Sequence, residues 1–354
     1  MVIDLLKNLI SIDSSTIIGG NIAVDFCGKW LAEQGLEVSF FENNGYRMLV
    51  SEIGEGDSTL VLNGHVDVVA GSPRQFTPME EGGRLYGRGS ADMKAGVAAM
   101  MATFAKLTSR KLGCKLQLQI VSDEEIGGMN CTGFLVENGY RGDFVICAEP
   151  TGLGIANQAK GILRVDITAY GKAAHGSRPW EGVNAIEVAY DVYRQVLDLP
   201  FAKESSEYYQ SPSINLAKIE AGNAYNVVPD ECRMGFDIRY LPGQNHEEIL
   251  RQIGSINGIE VVPGLHAEPI HTARSHPFLL GLADIVSRQT GEEAVFFGQH
   301  GSADTVFFAK YGIPAIEFGP DGDNWHGEDE YVDINSVLQF EKILIELACS
   351  GKIT

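Results

Sequence analysis

The residues of this chain that could do chemistry stand where predicted strands end. Thr59-Leu-Val-Leu-Asn-Gly reads as a buried strand released by a glycine, and His65 and Asp67 follow at once. His-x-Asp spacing on an extended backbone puts both side chains on one side. An aspartate so placed orients the histidine either for proton transfer or as a metal ligand, and the pair alone leaves both readings open. Lys115-Leu-Gln-Leu-Gln-Ile-Val121 alternates as a strand does and runs into Asp123, Glu124 and Glu125, capped by Gly127 and Gly128. Three adjacent carboxylates repel one another unless cations or protons intervene. Asp143-Phe-Val-Ile-Cys-Ala delivers another carboxylate, Glu149, in the same manner. Open α/β sheets bind their ligands at such carboxyl ends.

Two more candidates lie in loops: Asp92 within Gly87-Arg-Gly89-Ser-Ala-Asp92, and His326 within Asn324-Trp-His326-Gly-Glu. Glycines 87 and 89 resemble a dinucleotide fingerprint, but Asp92 stands where its third glycine belongs and no regular strand leads in, so nucleotide binding is rejected. His65, Asp92, Glu125, Glu149 and His326 form a donor set suited to zinc, cobalt or manganese. With one carboxylate bridging, such a set holds two ions about 3.5–4 Å apart. Asp67 and Glu124 raise the negative side chains of the cleft to five, a charge that two divalent cations would largely offset.

The elements that must position these residues alternate in α/β fashion. Residues 1–10 and 21–34 have the pattern of amphipathic helices, and 36–41 and 47–52 that of strands. Residues 95–107, rich in small apolar side chains, predict a helix packed closely on a sheet. From Gly161 the character changes. Strand signals at 162–170, 213–220, 232–239 and 259–263 are interleaved with helical ones at 184–197 and 245–256. That strand-helix-strand-strand-helix-strand order is the plan of a small α+β sandwich. It is placed as an inserted domain at 159–268, leaving 1–158 and 269–354 as a discontinuous metal-binding domain. A helix over 277–290, a strand over 311–320 and a helix over 335–349 complete the chain.

Bulk properties narrow the partners. A length of 354 residues exceeds one ordinary core. A net charge of −20 argues against nucleic acid or an anionic membrane as partner. Asp4 and Lys7 interrupt the first apolar run, which suits an amphipathic helix better than a signal peptide. The 6 cysteines are scattered with no C-x-x-C pair and read as reduced thiols of a cytoplasmic protein.

In order along the chain, GHVDVV, GRGSADMKAG, SDEEIGG, AEPTG, AAHGSRP and HGEDEYV resemble the blocks of the di-zinc amidohydrolase and exopeptidase family. That family includes acetylornithine deacetylase, succinyl-diaminopimelate desuccinylase, aminoacylase and bacterial glutamate carboxypeptidase. The resemblance covers essentially the whole chain. It implies a mixed central sheet flanked by helices, with the insertion as a ferredoxin-like lid and dimerisation domain. It makes Asp92 the bridging carboxylate, His65 and Glu149 the further ligands of one ion, and Glu125 and His326 those of the other. Asp67 would hydrogen-bond His65, and Glu124 would be the general base and then the acid. A cis peptide is implied at Asp92–Met93.

His175, from its own chain or a partner's, would donate to the tetrahedral oxyanion. Arg178, Asn226 and Arg239 match positions that hold a substrate carboxylate or oxyanion, and Gly301 and Ser302 would line the pocket. The implied activity is hydrolysis of the amide of a small N-acyl amino acid by a homodimer carrying two divalent ions, zinc first and cobalt second. A dipeptidase or carboxypeptidase of the same family is the alternative. A non-catalytic binding protein on this fold is the remote one.

Overall fold

Apolar alternation in the strands sorts the core into two faces of one sheet. The computed structural model describes residues 1–301 and 303–350. The chain divides into two compact units, one made of Met1–Asn157, His271–Phe297 and the chain from Ala303 onward, the other of Gln158–Ile270 with the stretch that starts at Gly298. The sequence pattern places that last stretch, within 269–354, in the metal-binding domain.

In the first unit the mixed sheet runs in the order Ser39–Asn43, Tyr46–Ile53, Lys115–Val121, Thr59–His65, Phe144–Cys147, Ala315–Glu317, Ile155–Ala159. Thr59–His65 is parallel to both of its neighbours, with His65 opposite Val121 and Asn63 opposite Cys147. The parallel strands therefore finish side by side. Leu60, Leu62, Leu116, Leu118 and Ile146 face the main core, shared with helices Val2–Ile10, Ile17–Glu33, Lys94–Leu107, Pro277–Thr290 and Ile334–Ser350. Val61 and Val145 point the other way, onto Val136 and Phe308 of helices Thr132–Glu137 and Thr305–Ala309. Odd and even positions of one strand thus serve opposite faces, as the pleat requires.

Helix Lys94–Leu107 is buried almost all round, as expected of a helix apolar on every side. Its small residues permit the approach: a Cβ at Gly96 would stand 2.2 Å from the Ala148 carbonyl oxygen. Lys94 is wholly buried and donates to the carbonyls of Leu9 (3.1 Å) and Ile12 (3.0 Å), tying the end of the first helix and the loop after it to helix Lys94–Leu107.

Three local outcomes differ from the sequence expectation. The second helix starts at Ile17, because the Thr16 side chain accepts from Gly19 N–H and the Gly19-Gly20 pair is carried inside the first turn. The expected strand over 311–320 is only Ala315–Glu317. A small antiparallel sheet of Met79–Glu81, Arg84–Tyr86, Tyr331–Asp333 and Gly322–Asp323 has strands too short for a period to register.

The second unit has the expected element order. Its antiparallel sheet runs Ser213–Ala221, Glu231–Tyr240, Gly161–Tyr170, Ile259–Ala267, with helices Ala185–Asp198 and His246–Gly254 as the crossovers. Leu163, Val165, Ile167 and Ala169 alternate onto Ala189, Val192, Ile249 and Ile253 of those helices. Arg164 and Asp166 take the opposite, exposed face.

Candidate metal centre

Three neighbouring parallel strands bring the acid and imidazole groups to one end of the sheet. His65 closes Thr59–His65, Glu124 and Glu125 follow Lys115–Val121, and Glu149 follows Phe144–Cys147. Asp92 precedes helix Lys94–Leu107, whose positive N-terminal end favours a carboxylate there. The Asp92–Met93 peptide is cis. His326 comes from the loop before Tyr331–Asp333 and has φ of 60°.

The Asp92 carboxylate faces two ways. Its Oδ1 stands 3.1 Å from His65 Nε2 and its Oδ2 3.2 Å from His326 Nε2. Around the first contact lies Glu149, its Oε1 3.9 Å from His65 Nε2; around the second lies Glu125, its Oε1 3.3 Å from His326 Nε2. Ligand atoms of His65, Asp92 and Glu149 fall within 4.8 Å of one another, and so do those of Asp92, Glu125 and His326. Glu124 Oε2 is 3.9 Å from His65 Nε2 and belongs to neither trio.

Asp67 works differently from the sequence expectation. His65 Nδ1 pairs with the backbone carbonyl of Asp67 at 2.9 Å, while the Asp67 carboxylate Oδ1 is 3.6 Å away and acts through charge. The other carboxylate oxygen accepts the Glu125 N–H at 3.0 Å. One residue thereby orients a ligand on each side, and leaves His65 Nε2 to face Asp92.

Electrostatics follow from burial and crowding. Burial alone would lower the His65 pKa, but Asp67 and Asp92 more than reverse it. Burial would raise Asp92, yet His326 and His65 hold it below the usual carboxylate range. Burial, with the charge of neighbouring acids added, pushes Glu124, Glu125 and Glu149 up. Glu125 Oε1 and Asp67 Oδ1 are buried and accept no hydrogen bond from any described residue. Buried, mutually repelling carboxylates with imidazoles beside them and two orphaned oxygens fit a pair of divalent cations chemically.

Sequence reasoning missed the residues that tie the two loops together. Glu330 is 1% exposed. Its Oε1 accepts the N–H groups of Ala91 (3.0 Å) and Asp92 (3.1 Å), and its Oε2 that of Gly89 (3.0 Å) and the Arg88 guanidinium (2.6 Å). Arg88 donates onward to the His326 carbonyl at 3.0 Å. Glu328 and Asp329 next door are exposed and pair with Arg74 instead. The only signal was the alternation Glu330, Val332 into the interior. Asp304 was missed too: it accepts from Thr132 Oγ1 at 2.5 Å, burial pushes it up to about 8, and its charge raises Glu124 further.

A family model described as Peptidase family M20/M25/M40 matches residues 61–350. The chain belongs to that family. It is 29% identical to an acetylornithine deacetylase of Vibrio campbellii, over 94% of this chain and 92% of the relative. It is 27% identical to a probable succinyl-diaminopimelate desuccinylase of Staphylococcus aureus, over 84% of each. Among solved structures, aminopeptidase PepT of Bacillus cereus shares the fold with a TM-score of 0.84 at 18% identity, covering 99% of this chain and 98% of that one.

The other residues singled out in this M20 chain, Ser302 apart, lie in the second unit. His175 is exposed; its Nδ1 accepts the Ser177 N–H at 3.1 Å, which leaves Nε2 to carry the proton of a neutral ring. Gly176 N–H donates to the Asn226 carbonyl at 2.7 Å, bringing the His175 loop beside Asn226. Arg178 is exposed and pairs with Glu181 at 3.3 Å. Arg239 is half-buried and pairs with Asp237 at 2.6 Å. Gly301 is exposed. Ser302 lies outside the described residues.

Proposed function

We propose that this M20 chain hydrolyses the amide bond of a small N-acyl amino acid with two divalent ions, zinc foremost. The carrying observation is that one carboxylate, Asp92, offers a separate oxygen to each of two imidazoles, each with a further glutamate beside it. His65, Asp92 and Glu149 would hold one ion and Asp92, Glu125 and His326 the other. Such ions polarise a carbonyl and lower the pKa of water toward ~7.

The chain's own residues do the rest. Glu124 is outside both ligand trios, and burial raises its pKa toward the range of a general base. It takes a proton from the attacking water as the new C–O bond forms, and returns it to the amide nitrogen as the C–N bond breaks. His175 donates from Nε2 to the tetrahedral oxyanion. Arg178, Asn226 and Arg239 bind the substrate carboxylate, arginine through paired N–H groups, and Gly301 and Ser302 line the pocket. We further assign the second unit the role of lid and dimer contact. The cytoplasm is the place of action, since all six cysteines are free thiols.

Names of the relatives favour a deacylase; the family and the fold it shares with PepT keep a dipeptidase or carboxypeptidase as the second reading. Zinc-loaded protein assayed on N-acetylornithine, N-succinyl-diaminopimelate, other N-acetyl amino acids and dipeptides separates them. Highest kcat/KM on an acyl amino acid supports the proposal, and highest kcat/KM on dipeptides replaces it with the second reading.

A further inference from the structure

A second set of potential ligands lies in the other unit and shares no residue with the centre above. His246 opens helix His246–Gly254, His266 sits near the end of strand Ile259–Ala267, and Glu268 follows it. The two imidazole rings stack with centroids 4.3 Å apart at 18°. His246 Nδ1 stands 3.5 Å from Glu268 Oε1. One donor atom from each of the three residues lies within 4.8 Å of the others. His266 is exposed, and His246 and Glu268 are half-buried.

The surroundings hold these donors in place. His266 and Glu268 are two apart on an extended chain, so they share a face. Tyr240, wholly buried, donates its hydroxyl to the Ala267 carbonyl at 3.0 Å and pins the peptide between them. Asn245 caps the helix by accepting the N–H groups of Glu247 (2.7 Å) and Glu248 (3.2 Å), which fixes where His246 leaves the backbone. A helix N-terminus is a poor neighbour for a cation, but Glu247 in that first turn and Glu268 opposite supply offsetting charge, while Glu248 is taken up by Arg251.

From this arrangement we propose that His246, His266 and Glu268 form a third metal site, for a divalent first-row ion such as zinc or copper. Two imidazoles and a carboxylate are a zinc-type donor set with a fourth position left for water. Donors about 2.1 Å from a tetrahedral zinc are about 3.4 Å apart, and the lone pairs of stacked rings run side by side, so closure asks one imidazole to rotate out of the stack as well as a shift on the order of 1 Å. Half-exposed side chains have that freedom. The ion would clamp the start of the helix to the end of the strand.

Full-length protein is stripped with a chelator, dialysed against zinc and counted by elemental analysis. The expected result is one more zinc per chain in the wild type than in His266→Asn or in Glu268→Gln. Copper loaded at one equivalent into an Asp92→Ala background should show imidazole nitrogen couplings that His266→Asn reduces. Failure of the two-ion reading above would alter the wild-type total but leave the difference of one. Equal counts in the wild type and both variants, with the variants folded by circular dichroism, would overturn the site.

Discussion

Arg88 and Glu330 form a buried pair, 2.6 Å apart, that joins the loop of Asp92 to the loop of His326. Asp92 and His326, which would share one ion, are thereby held by a pair that belongs to neither ligand trio. Removing one partner of a buried pair leaves the other charge uncompensated, at a cost of about 3–5 kcal/mol. We expect Glu330→Ala to lose about that much stability in denaturant melts and roughly 10–100-fold in zinc affinity. Arg88→Met combined with Glu330→Leu removes the uncompensated charge but leaves the N–H groups of Gly89, Ala91 and Asp92 without their acceptor, so it should recover only part of the stability and none of the affinity. A single variant with wild-type zinc binding would show that the pair positions nothing.

Asp67 supports the ligands on both sides of it, through its carbonyl to His65 and its carboxylate to the Glu125 N–H. Asp67→Asn keeps the carbonyl contact but replaces one carboxylate oxygen by a donor. Zinc affinity should drop roughly 10-fold or more, read by competition with a chromophoric chelator. Asparagine can still accept the Glu125 N–H, so unchanged affinity would assign the charge of Asp67 no role in supporting the ligands.

Glu124 is the test of base catalysis. Glu124→Ala should keep both ions of the centre, since Glu124 belongs to neither ligand trio, and lose roughly 10²–10⁴-fold or more in kcat. Metal counting and turnover on the same sample read the two effects separately. Near-normal kcat in that variant would refute the role.

Much of this centre could be read from the sequence, for a reason tied to strands. His65, Glu125 and Glu149 follow runs whose alternation marks where a strand ends, and parallel neighbours end together. Asp92 and His326 sit in loops without a period, so residue type alone made them candidates, and their likeness to family blocks gave them their roles. Glu330 stayed hidden because Glu328, Asp329 and Glu330 are chemically alike, and tertiary packing alone decides which is buried. The same limit applied to the second helix, expected over 21–34, which a Thr16 cap starts at Ile17 with two glycines inside its first turn.

Whether His175 works across a dimer is settled by mixing. His175→Ala and Glu124→Ala proteins, each nearly inactive, should together recover up to about one quarter of wild-type activity if each shared site needs one residue from each chain, an estimate from random pairing of protomers. No recovery would place His175 in its own chain or outside the reaction.

Thiol chemistry should reflect burial. Cys349 is exposed and the other five cysteines are buried; burial holds Cys114 up to about 11, so it stays protonated at pH 8. A disulfide reagent at pH 8 should modify one thiol quickly in the native protein and all six after denaturation. Fast reaction of two or more native thiols would contradict the packing described.

The claim beneath all of this is that hydrolysis depends on divalent ions gathered around Asp92. Turnover on N-acetylornithine or whichever amide proves best is measured before chelation, after it, and as zinc or cobalt is returned. Loss of activity in stripped protein and its recovery with added metal is the predicted result. Full turnover in protein shown to be metal-free would contradict it.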